Sequence, residues 1–252
     1  MRKPLATPRI IHEAPGWLAL WKPPGWAVQG AVENDRSLIR WIRSHLGCDP
    51  EARHRDWVHV VHRIDGPVSG LVLFARNPAA ASALALAFEE RRTRKDYLAL
   101  AHGNLPGPPT RMRCHQRFSH GRAFTSLPDA PGAQAAVLAA RVVAARDGLL
   151  LLRVRPFTGR RHQIRLQLAA AGCPLQGDTR YGAPGRSPLP RDSVGLHAWR
   201  IRLPSPENGS LMTLTAPPPP WWPDWALAAL DAAPGTEPSW PSAKGFRAWN
   251  WS

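Results

Sequence analysis

The stretch that decides the fold is WVHVVHRIDGPVSGLVLFA, residues 57–75. Two apolar runs flank a polar segment that contains Gly66-Pro67, a pattern that predicts two buried strands joined through a turn. Asp65 therefore lies between buried strands, where burying a carboxylate costs free energy. Such a carboxylate is expected to be paired with a cation or to have a functional role. In an extended segment Arg63 and Asp65 project to the same face, so a structural ion pair is the alternative to a functional carboxylate.

The composition indicates a folded and strongly basic protein. The 252 residues are 44% hydrophobic, enough for one large domain or two closely packed lobes. Lysine and arginine number 33 against 18 acidic residues, a formal charge of +15. Most of these cations are arginine, whose planar guanidinium suits phosphate recognition. A polyanionic partner is the leading prediction, and a solvated basic surface without a partner is the alternative.

Cysteine spacing and hydropathy predict the cellular compartment of the protein. Cys48, Cys114 and Cys173 are far apart, which favours neither a disulfide framework nor a zinc ribbon and indicates a reducing compartment. No apolar run approaches the roughly 18 residues of a membrane-spanning helix, and the N-terminus lacks the apolar stretch of a secretory signal. We expect a cytoplasmic protein without membrane association, with import into an organelle as the alternative.

Two segments have the pattern of helices. SLIRWIRSHLG (37–47) places Leu38 and Ile42 at helical spacing, begins with a serine suited to the N-cap and ends at Gly47. NPAAASALALAFEERRTRK (77–95) begins with Asn-Pro, which suits a cap and a first helical position, and ends in cations that favour a helix C-terminus.

Strand patterns surround these helices. WLALWKPPG (17–25) predicts a strand and an ordered turn that holds a basic group, and KDYLALAHG (95–103) alternates like a strand. AAVLAARVVAARDGLLLLRVRPF (135–157) predicts two strands that turn at Asp147-Gly148. Residues 105–135 are rich in Pro, Gly and Arg and predict an irregular excursion or a poorly regular hairpin. Because strands and helices do not alternate regularly, the predicted fold class is α+β with a mixed, largely antiparallel central sheet flanked by helices.

A second group of candidate site residues lies in PFTGRRHQIRLQLAAAG, residues 156–172. Thr158 is suited to cap a helix that ends at Gly172. Arg161 and Arg165 would then lie one turn apart near free backbone N–H groups, an arrangement that binds phosphate or carboxylate. A solvated basic helix face is the alternative.

Metal and serine chemistry are not favoured. His54, His59 and His62 have no fixed ligand spacing, and the last two would point to opposite faces of a strand. Ser69-Gly70 lacks the flanking glycine of a nucleophile elbow.

The residues then carry a family resemblance. VHRIDGPVSGLVLFARN (61–77) resembles the signature of the RluA-type pseudouridine synthases, in which His-Arg-Leu-Asp precedes Thr-Ser-Gly and an apolar strand. Ile64 for Leu, Val68 for Thr and, further on, Gln167 for a common His are departures that remove no reacting group. The resemblance continues in family order in WLALWKPPGWAVQ (17–29), FEERRTRKDYLALAHG (88–103), RPFTGRRHQIRLQLAAAGCPLQGDTRYG (155–182) and LHAWRIRLPSP (196–206).

The resemblance implies the pseudouridine synthase catalytic fold with its catalytic cleft, and isomerisation of uridine to pseudouridine within RNA without a cofactor or metal. Asp65 matches the nucleophilic aspartate. Arg165 is implied to pair with Asp65 and keep it ionised. Tyr97 matches the tyrosine that stacks on the uracil or assists proton removal.

The resemblance also implies a structured RNA as partner, either transfer RNA or ribosomal RNA. The target uridine must leave its stack, and phosphate contacts offset that cost. Arg63, Arg160 and Arg161 are the first candidates for these contacts, and Lys22 is a further one. We expect no accessory RNA-binding domain ahead of the core, which favours a small folded RNA such as transfer RNA, and no obligatory protein partner is evident.

Two other functions remain as alternatives. One is a non-catalytic RNA-binding protein or RNA chaperone on the same fold. The other is an unrelated hydrolase with Asp65 as nucleophile, which would lack a water-activating partner nearby in sequence.

The predicted domains are an N-terminal extension at 1–9, a catalytic domain at 10–225 and a Pro/Trp-rich tail at 226–252.

Overall fold

The computed structural model describes residues 6–30, 36–47, 58–105, 110–185, 187–232 and 240. Cys48, His54 and parts of the predicted N-terminal extension and tail lie outside these ranges. The described elements are β1 (Arg9–Ala14), β2 (Trp17–Lys22), α1 (Leu38–His45), β3 (His59–Val60), β4 (Ser69–Ala75), α2 (Pro78–Glu89), β5 (Arg94–His102), β6 (Thr110–Ser119), β7 (Arg122–Ser126), β8 (Gln134–Arg146), β9 (Leu149–Pro156), α3 (Gln163–Ala170), a 3₁₀ turn (Thr179–Tyr181), β10 (Leu196–Pro204), β11 (Leu211–Thr215) and α4 (Asp224–Asp231).

The chain divides into two compact units, each described by itself. The first unit comprises Met1–Lys95, Pro190–Ser193 and His197–Pro219, and the second comprises Asp96–Leu189, Val194–Leu196 and Pro220–Ser252. No described helix has both the length and the apolar character needed to cross a membrane.

The first unit is built on two fully buried strands, β2 and β4, which pair antiparallel. β1 adds to β2 antiparallel, β4 also pairs in parallel with β10, and β11 pairs antiparallel with β10. The predicted strand at 71–75 is confirmed as part of β4. The strand predicted before it is shorter than expected, because β3 ends at Val60 and residues 61–65 are irregular. The expectation that Arg63 and Asp65 lie on a strand is therefore wrong.

Both predicted helices of this unit are confirmed. α1 buries Leu38 and Ile42 and is followed by Gly47 with a φ of 71°. In α2 the Asn77 side chain caps the first turn by accepting a hydrogen bond from the Ala80 N–H at 2.8 Å.

Close backbone contact between β4 and β10 requires a glycine at position 70. Gly70 has a φ of 119°, and a Cβ added there would fall on the backbone of Ala198, its partner in the parallel pair. We expect Gly70→Ala to lower the free energy of unfolding by about 2–3 kcal/mol. Gly66→Ala is the matched control, because its added Cβ meets no atom within 4 Å. Urea unfolding of the two variants is the measurement, and equal stabilities would contradict the close pairing.

The second unit is an antiparallel sheet in the order β5-β9-β8-β6-β7. The predicted turn at Asp147-Gly148 is confirmed, with φ of 52° and 73°. Residues 110–126 form a regular hairpin that turns at His120-Gly121, rather than the irregular segment expected from their composition. The predicted α+β class with a mixed, largely antiparallel sheet is confirmed. α4 runs across the predicted domain boundary at residue 225.

Candidate active site

Asp65 lies in a tight turn of the first unit. The Asp65 carbonyl accepts a hydrogen bond from the Val68 N–H at 3.0 Å, and the Gly66 carbonyl accepts one from the Gly25 N–H at 2.9 Å. The Asp65 side chain is partly buried. The turn is thus joined to the Lys22–Gly25 segment, so two of the sequence blocks that carry the resemblance meet here.

Lys22 fixes this turn from the interior. Its side chain is 0% exposed, and its Nζ donates to the carbonyls of Pro23 at 3.0 Å, Trp26 at 2.9 Å and Gly66 at 2.8 Å. These three acceptors match the three N–H groups of an ammonium. Burial lowers the pKa of Lys22 to about 7, and the charge of Asp65 opposes that shift. This placement contradicts the predicted RNA contact, because burial keeps the ammonium away from phosphate.

Replacing Lys22 by methionine tests its structural role. Methionine keeps a long, unbranched side chain but leaves three carbonyls without their donor, so we expect the free energy of unfolding to fall by about 2 kcal/mol or more. RNA affinity should stay within about twofold. Urea unfolding and fluorescence anisotropy with a labelled oligouridylate measure the two quantities. Weaker RNA binding at unchanged stability would instead support a phosphate contact.

Ser69 and His197 form a buried pair that resembles a hydrolytic dyad only in composition. Ser69 Oγ lies 2.9 Å from His197 Nδ1, and His197 Nε2 lies 3.2 Å from the Ala216 carbonyl. A carbonyl can only accept, so Nε2 carries the proton and Ser69 donates to Nδ1. Burial lowers the pKa of His197 to about 4. Both side chains are buried, so the pair joins β4 to β10 and is inaccessible to a substrate.

His62 is likewise structural. Its Nε2 accepts a hydrogen bond from the Leu73 N–H at 3.0 Å, and its ring lies 5.0 Å from the ring of Phe88. Burial lowers the pKa of His62 to about 3, with a further contribution from the charge of Lys95. In the described part of the chain, no group of three His, Cys, Asp or Glu side chains is placed to hold a metal ion.

In the second unit, Tyr97 and α3 lie on the same face of the sheet. Tyr97 of β5 pairs with Val154 of β9, and Val154 pairs with Ala140 of β8 on its other side. Directly paired residues of neighbouring strands project to the same face of a sheet. The same pairing continues to the even-numbered residues of β6, which include Phe118. Phe118 packs against the cluster that contains Leu166 of α3. We call this side of the sheet the tyrosine face.

The segment before α3 is held by side-chain hydrogen bonds. The Val137 N–H donates to Thr158 Oγ1 at 2.8 Å, and Gln163 Oε1 accepts from Thr158 Oγ1 at 2.8 Å and from the Arg160 N–H at 3.0 Å. The N-cap of α3 is His162, with a φ of 56°. The prediction that Thr158 caps the helix is therefore wrong, since its hydroxyl instead fastens the turn to β8. Arg161 precedes the helix rather than lying one turn from Arg165.

Arg165 is buried in α3 and bound by Asp178. Its Nε donates to Asp178 Oδ2 at 2.7 Å, and its Nη2 donates to Asp178 Oδ1 at 2.8 Å. The guanidinium also lies 5.1 Å from the ring of Tyr181. This bidentate pair fixes the orientation of Arg165. Asp178 lies within the quoted Gly-Asp-Thr-Arg-Tyr-Gly stretch but was not predicted as a partner, and the pairing of Arg165 with Asp65 stays a prediction.

A second buried ion cluster lies on the other face of the same sheet. Asp96 accepts hydrogen bonds from Arg153 Nη2 at 2.7 Å, from Arg155 Nε at 2.6 Å and from Arg155 Nη2 at 2.8 Å. Burial alone raises the pKa of Asp96, but the two guanidiniums outweigh it and hold that pKa below its usual value. The Trp240 ring lies 4.7 Å from the Arg155 guanidinium and covers it. Sequence analysis missed this cluster, because Arg153 and Arg155 lie 57 and 59 residues away from Asp96 in the chain.

The three arginines predicted to contact RNA differ in exposure. Arg63 and Arg161 are exposed, and the Arg161 guanidinium lies 4.0 Å from the Phe118 ring. Arg160 is partly buried, and its Nε donates to the Ala135 carbonyl at 3.1 Å. Arg63 and Arg161 are therefore open to solvent, whereas Arg160 is partly committed to the backbone.

Comparison with known proteins assigns the chain to a family. The family model described as RNA pseudouridylate synthase matches residues 16–170. The ribosomal large subunit pseudouridine synthase C of Rickettsia bellii is 30% identical over 227 residues, which cover 88% of this chain and 72% of that protein. The RNA pseudouridine synthase YhcT of Bacillus subtilis is 34% identical over 223 residues, 83% of this chain and 68% of that protein.

Solved structures agree with these sequence matches. Human RNA pseudouridylate synthase domain containing 1 is 25% identical, with a TM-score of 0.66 over 84% of each chain. Human RNA pseudouridylate synthase domain containing 4, at 21% identity, shares the fold with a TM-score of 0.67 over 88% of this chain and 92% of that one. The non-catalytic and hydrolase alternatives are not favoured. The chain belongs to the RNA pseudouridylate synthase family of RNA-modifying isomerases.

Proposed function

We propose that this protein isomerises uridine to pseudouridine in ribosomal RNA, with Asp65 as the nucleophile and with Tyr97 and Arg165 as further catalytic residues. The observation that carries the proposal is the Asp65 turn. A partly buried carboxylate is held on a backbone that Lys22 and Gly25 fix at Gly66. A fixed nucleophile is what covalent catalysis needs.

The chemistry conserves every atom of the substrate. The bond between N1 of uracil and C1′ of ribose breaks, a bond between C5 and C1′ forms, the proton leaves C5, and N1 gains a proton. Asp65 attacks either the sugar or the base, and the bond that it forms breaks again before the product leaves, so either order of steps regenerates the carboxylate. Tyr97 stacks on the uracil or assists removal of the C5 proton. Arg165 keeps its guanidinium oriented through Asp178 and favours the ionised form of the nucleophile.

Ribosomal RNA is the proposed substrate because of the relatives' names. The Rickettsia bellii relative is named for the large ribosomal subunit, as is a Haemophilus ducreyi pseudouridine synthase D that is 28% identical. These names outweigh the preference for transfer RNA that rested on the expected architecture. The exposed Arg63 and Arg161 are proposed to contact phosphates, and the proposed location is the cytoplasm, where ribosomal RNA is made in bacteria.

A modification assay tests the proposal. Unmodified large-subunit ribosomal RNA transcripts and pooled transfer RNA transcripts are incubated separately with the protein, and pseudouridine is detected by carbodiimide labelling and primer extension. We expect new stops in the ribosomal transcript alone. Stops only in transfer RNA would overturn the substrate, and no stops in either RNA would overturn the activity.

A further inference from the structure

One short turn of the second unit supplies two groups that contact Arg165. The 3₁₀ turn at Thr179–Tyr181 follows Asp178, and the Tyr181 N–H donates to the Asp178 carbonyl at 3.0 Å. Asp178 binds one edge of the Arg165 guanidinium, and that guanidinium lies over the Tyr181 ring, with its Cζ 5.1 Å from the ring centroid. Phe118 packs against the cluster that contains Tyr181, so this contact belongs to the tyrosine face.

The two contacts restrain different movements of the guanidinium. A bidentate carboxylate fixes the edge of a guanidinium within its plane, whereas an aromatic ring attracts a cation placed over its face and resists its movement away. Arg165 is 4% exposed and Tyr181 is 5% exposed. Arg122, whose guanidinium lies 5.2 Å from the same ring, is exposed, so the contact with Arg165 is the one shielded from water. A desolvated contact of this kind is among the stronger cation–π interactions.

A neutral ring restrains Arg165 without cancelling its charge. Asp178 already compensates the guanidinium within this buried site. A second carboxylate would lower the positive potential by which Arg165 is proposed to keep Asp65 ionised. An aromatic ring carries no net charge, so it adds a restraint and leaves that potential in place.

Hydrogen bonds fix the Tyr181 ring to the surrounding elements. Its hydroxyl accepts a hydrogen bond from the Ala123 N–H of β7 at 2.8 Å and lies 2.9 Å from Nδ1 of His162, the N-cap of α3. Arg180 Nη1 donates to the Gly121 carbonyl at 2.6 Å, which ties the same turn to the β6–β7 hairpin. The ring is therefore anchored to β7 and to the start of the helix that carries the catalytic arginine.

We propose that Tyr181 is a positioning residue for the isomerisation. Its ring holds the Arg165 guanidinium in its catalytic orientation, and its hydroxyl anchors the ring to β7 and α3. The inference rests on the proposed function and deepens it, because it adds a residue that acts through Arg165 and does not touch the substrate.

Two substitutions of Tyr181 separate positioning from stability. Tyr181→Leu removes the ring, so we expect the single-turnover rate on the ribosomal transcript to fall about ten- to hundredfold. RNA affinity, measured by fluorescence anisotropy, should stay within about twofold, since no RNA contact is removed. Tyr181→Phe keeps the ring and should lose only about threefold in rate. This variant still lowers the urea midpoint, because the buried Ala123 N–H loses its acceptor.

A double-mutant cycle tests whether Tyr181 acts through Arg165. In the Arg165→Gln background, Tyr181→Leu should cause no further loss of rate. Phe88→Leu is the matched control, because the Phe88 ring also lies beside a cation, 5.6 Å from Lys95 Nζ, in the first unit. Its rate should stay within about twofold despite a lower urea midpoint. Equal losses from Tyr181→Leu in both backgrounds, or an equal loss in Phe88→Leu, would overturn the inference.

Hydrogen exchange of the Arg165 side chain gives a readout that needs no activity. In protein labelled with ¹⁵N-arginine, the Arg165 Nε–H signal is identified by its loss in Arg165→Gln. We expect its exchange with water to be at least about tenfold faster in Tyr181→Leu and nearly unchanged in Tyr181→Phe. Unchanged exchange in Tyr181→Leu would show that the guanidinium is held equally well without the ring and would overturn the inference. Faster exchange in a protein that forms no pseudouridine would overturn the proposed function alone.

Discussion

Asp65→Asn is expected to abolish isomerisation, with a loss of at least about 10³-fold in kcat/KM, equivalent to about 4 kcal/mol of transition-state stabilisation. Asparagine keeps the shape of the side chain but cannot attack as a carboxylate. Single-turnover pseudouridine formation on the ribosomal transcript is the measurement. RNA affinity should stay within about tenfold, because the substitution removes a reacting group and leaves the arginines in place.

Asp147→Asn is the control for the lost charge. Asp147 lies in the β8–β9 turn with its side chain 90% exposed, and asparagine is well suited to the φ of 52° at that position. This variant should keep full activity. Substantial activity in Asp65→Asn would remove Asp65 from the mechanism, whatever the control shows.

The largest effect on stability is expected from Asp96→Ala. It leaves the buried guanidiniums of Arg153 and Arg155 without the carboxylate that binds them, so the free energy of unfolding should fall by about 3–5 kcal/mol. Urea unfolding measures this change. Glu90→Ala is the matched control, because Glu90 pairs with Arg92 where both side chains are about half exposed, and such pairs contribute about 0–1 kcal/mol. Equal losses in the two variants would show that the cluster does not stabilise the second unit.

The stability difference between wild type and Asp96→Ala depends on pH with a definite sign. The folded-state pKa of Asp96 is held below its usual value, so the unfolded chain takes up the proton first as the pH falls. The stabilisation is therefore fully present above the unfolded pKa of about 4 and is lost as the pH falls through the folded pKa. The stability gap between wild type and Asp96→Ala should narrow below about pH 4. A gap that stays constant down to the acid transition would contradict the ion-cluster interpretation.

Local sequence signals predicted the local structure well. The helix cap at Asn77-Pro78 and the hairpin turn at Asp147-Gly148 depend only on residues close to them in sequence. Both predictions are confirmed. The turn at His120-Gly121 has the same pair of positive φ angles, 45° and 74°, but histidine in its first position is a weaker turn signal than aspartate, and the composition of residues 105–135 predicted irregular structure.

Predictions that depended on distant partners were less accurate. Thr158 has the residue type of a helix cap, yet its hydroxyl is used by Val137, 21 residues away. Lys22 resembles a surface cation in sequence, and only the fold shows that three carbonyls surround it. The ion partners of Arg165 and Asp96 were missed for the same reason, since tertiary pairing leaves no periodic signal in the chain.

The burial of Lys22 gives the protein an internal reporter of local opening. The chain has only four lysines, at positions 3, 22, 95 and 244, so an amine-acylating reagent has few sites to modify. In the closed turn the Lys22 amine is withheld from such a reagent, and it becomes available only when the segment carrying Asp65 separates from residues 22–26. The rate of acylation at this one position, followed by mass spectrometry, would therefore measure how often the nucleophile's turn opens in the native protein. Bound RNA that holds the turn closed would lower the acylation rate in proportion to the fall in the fraction of time that the turn is open.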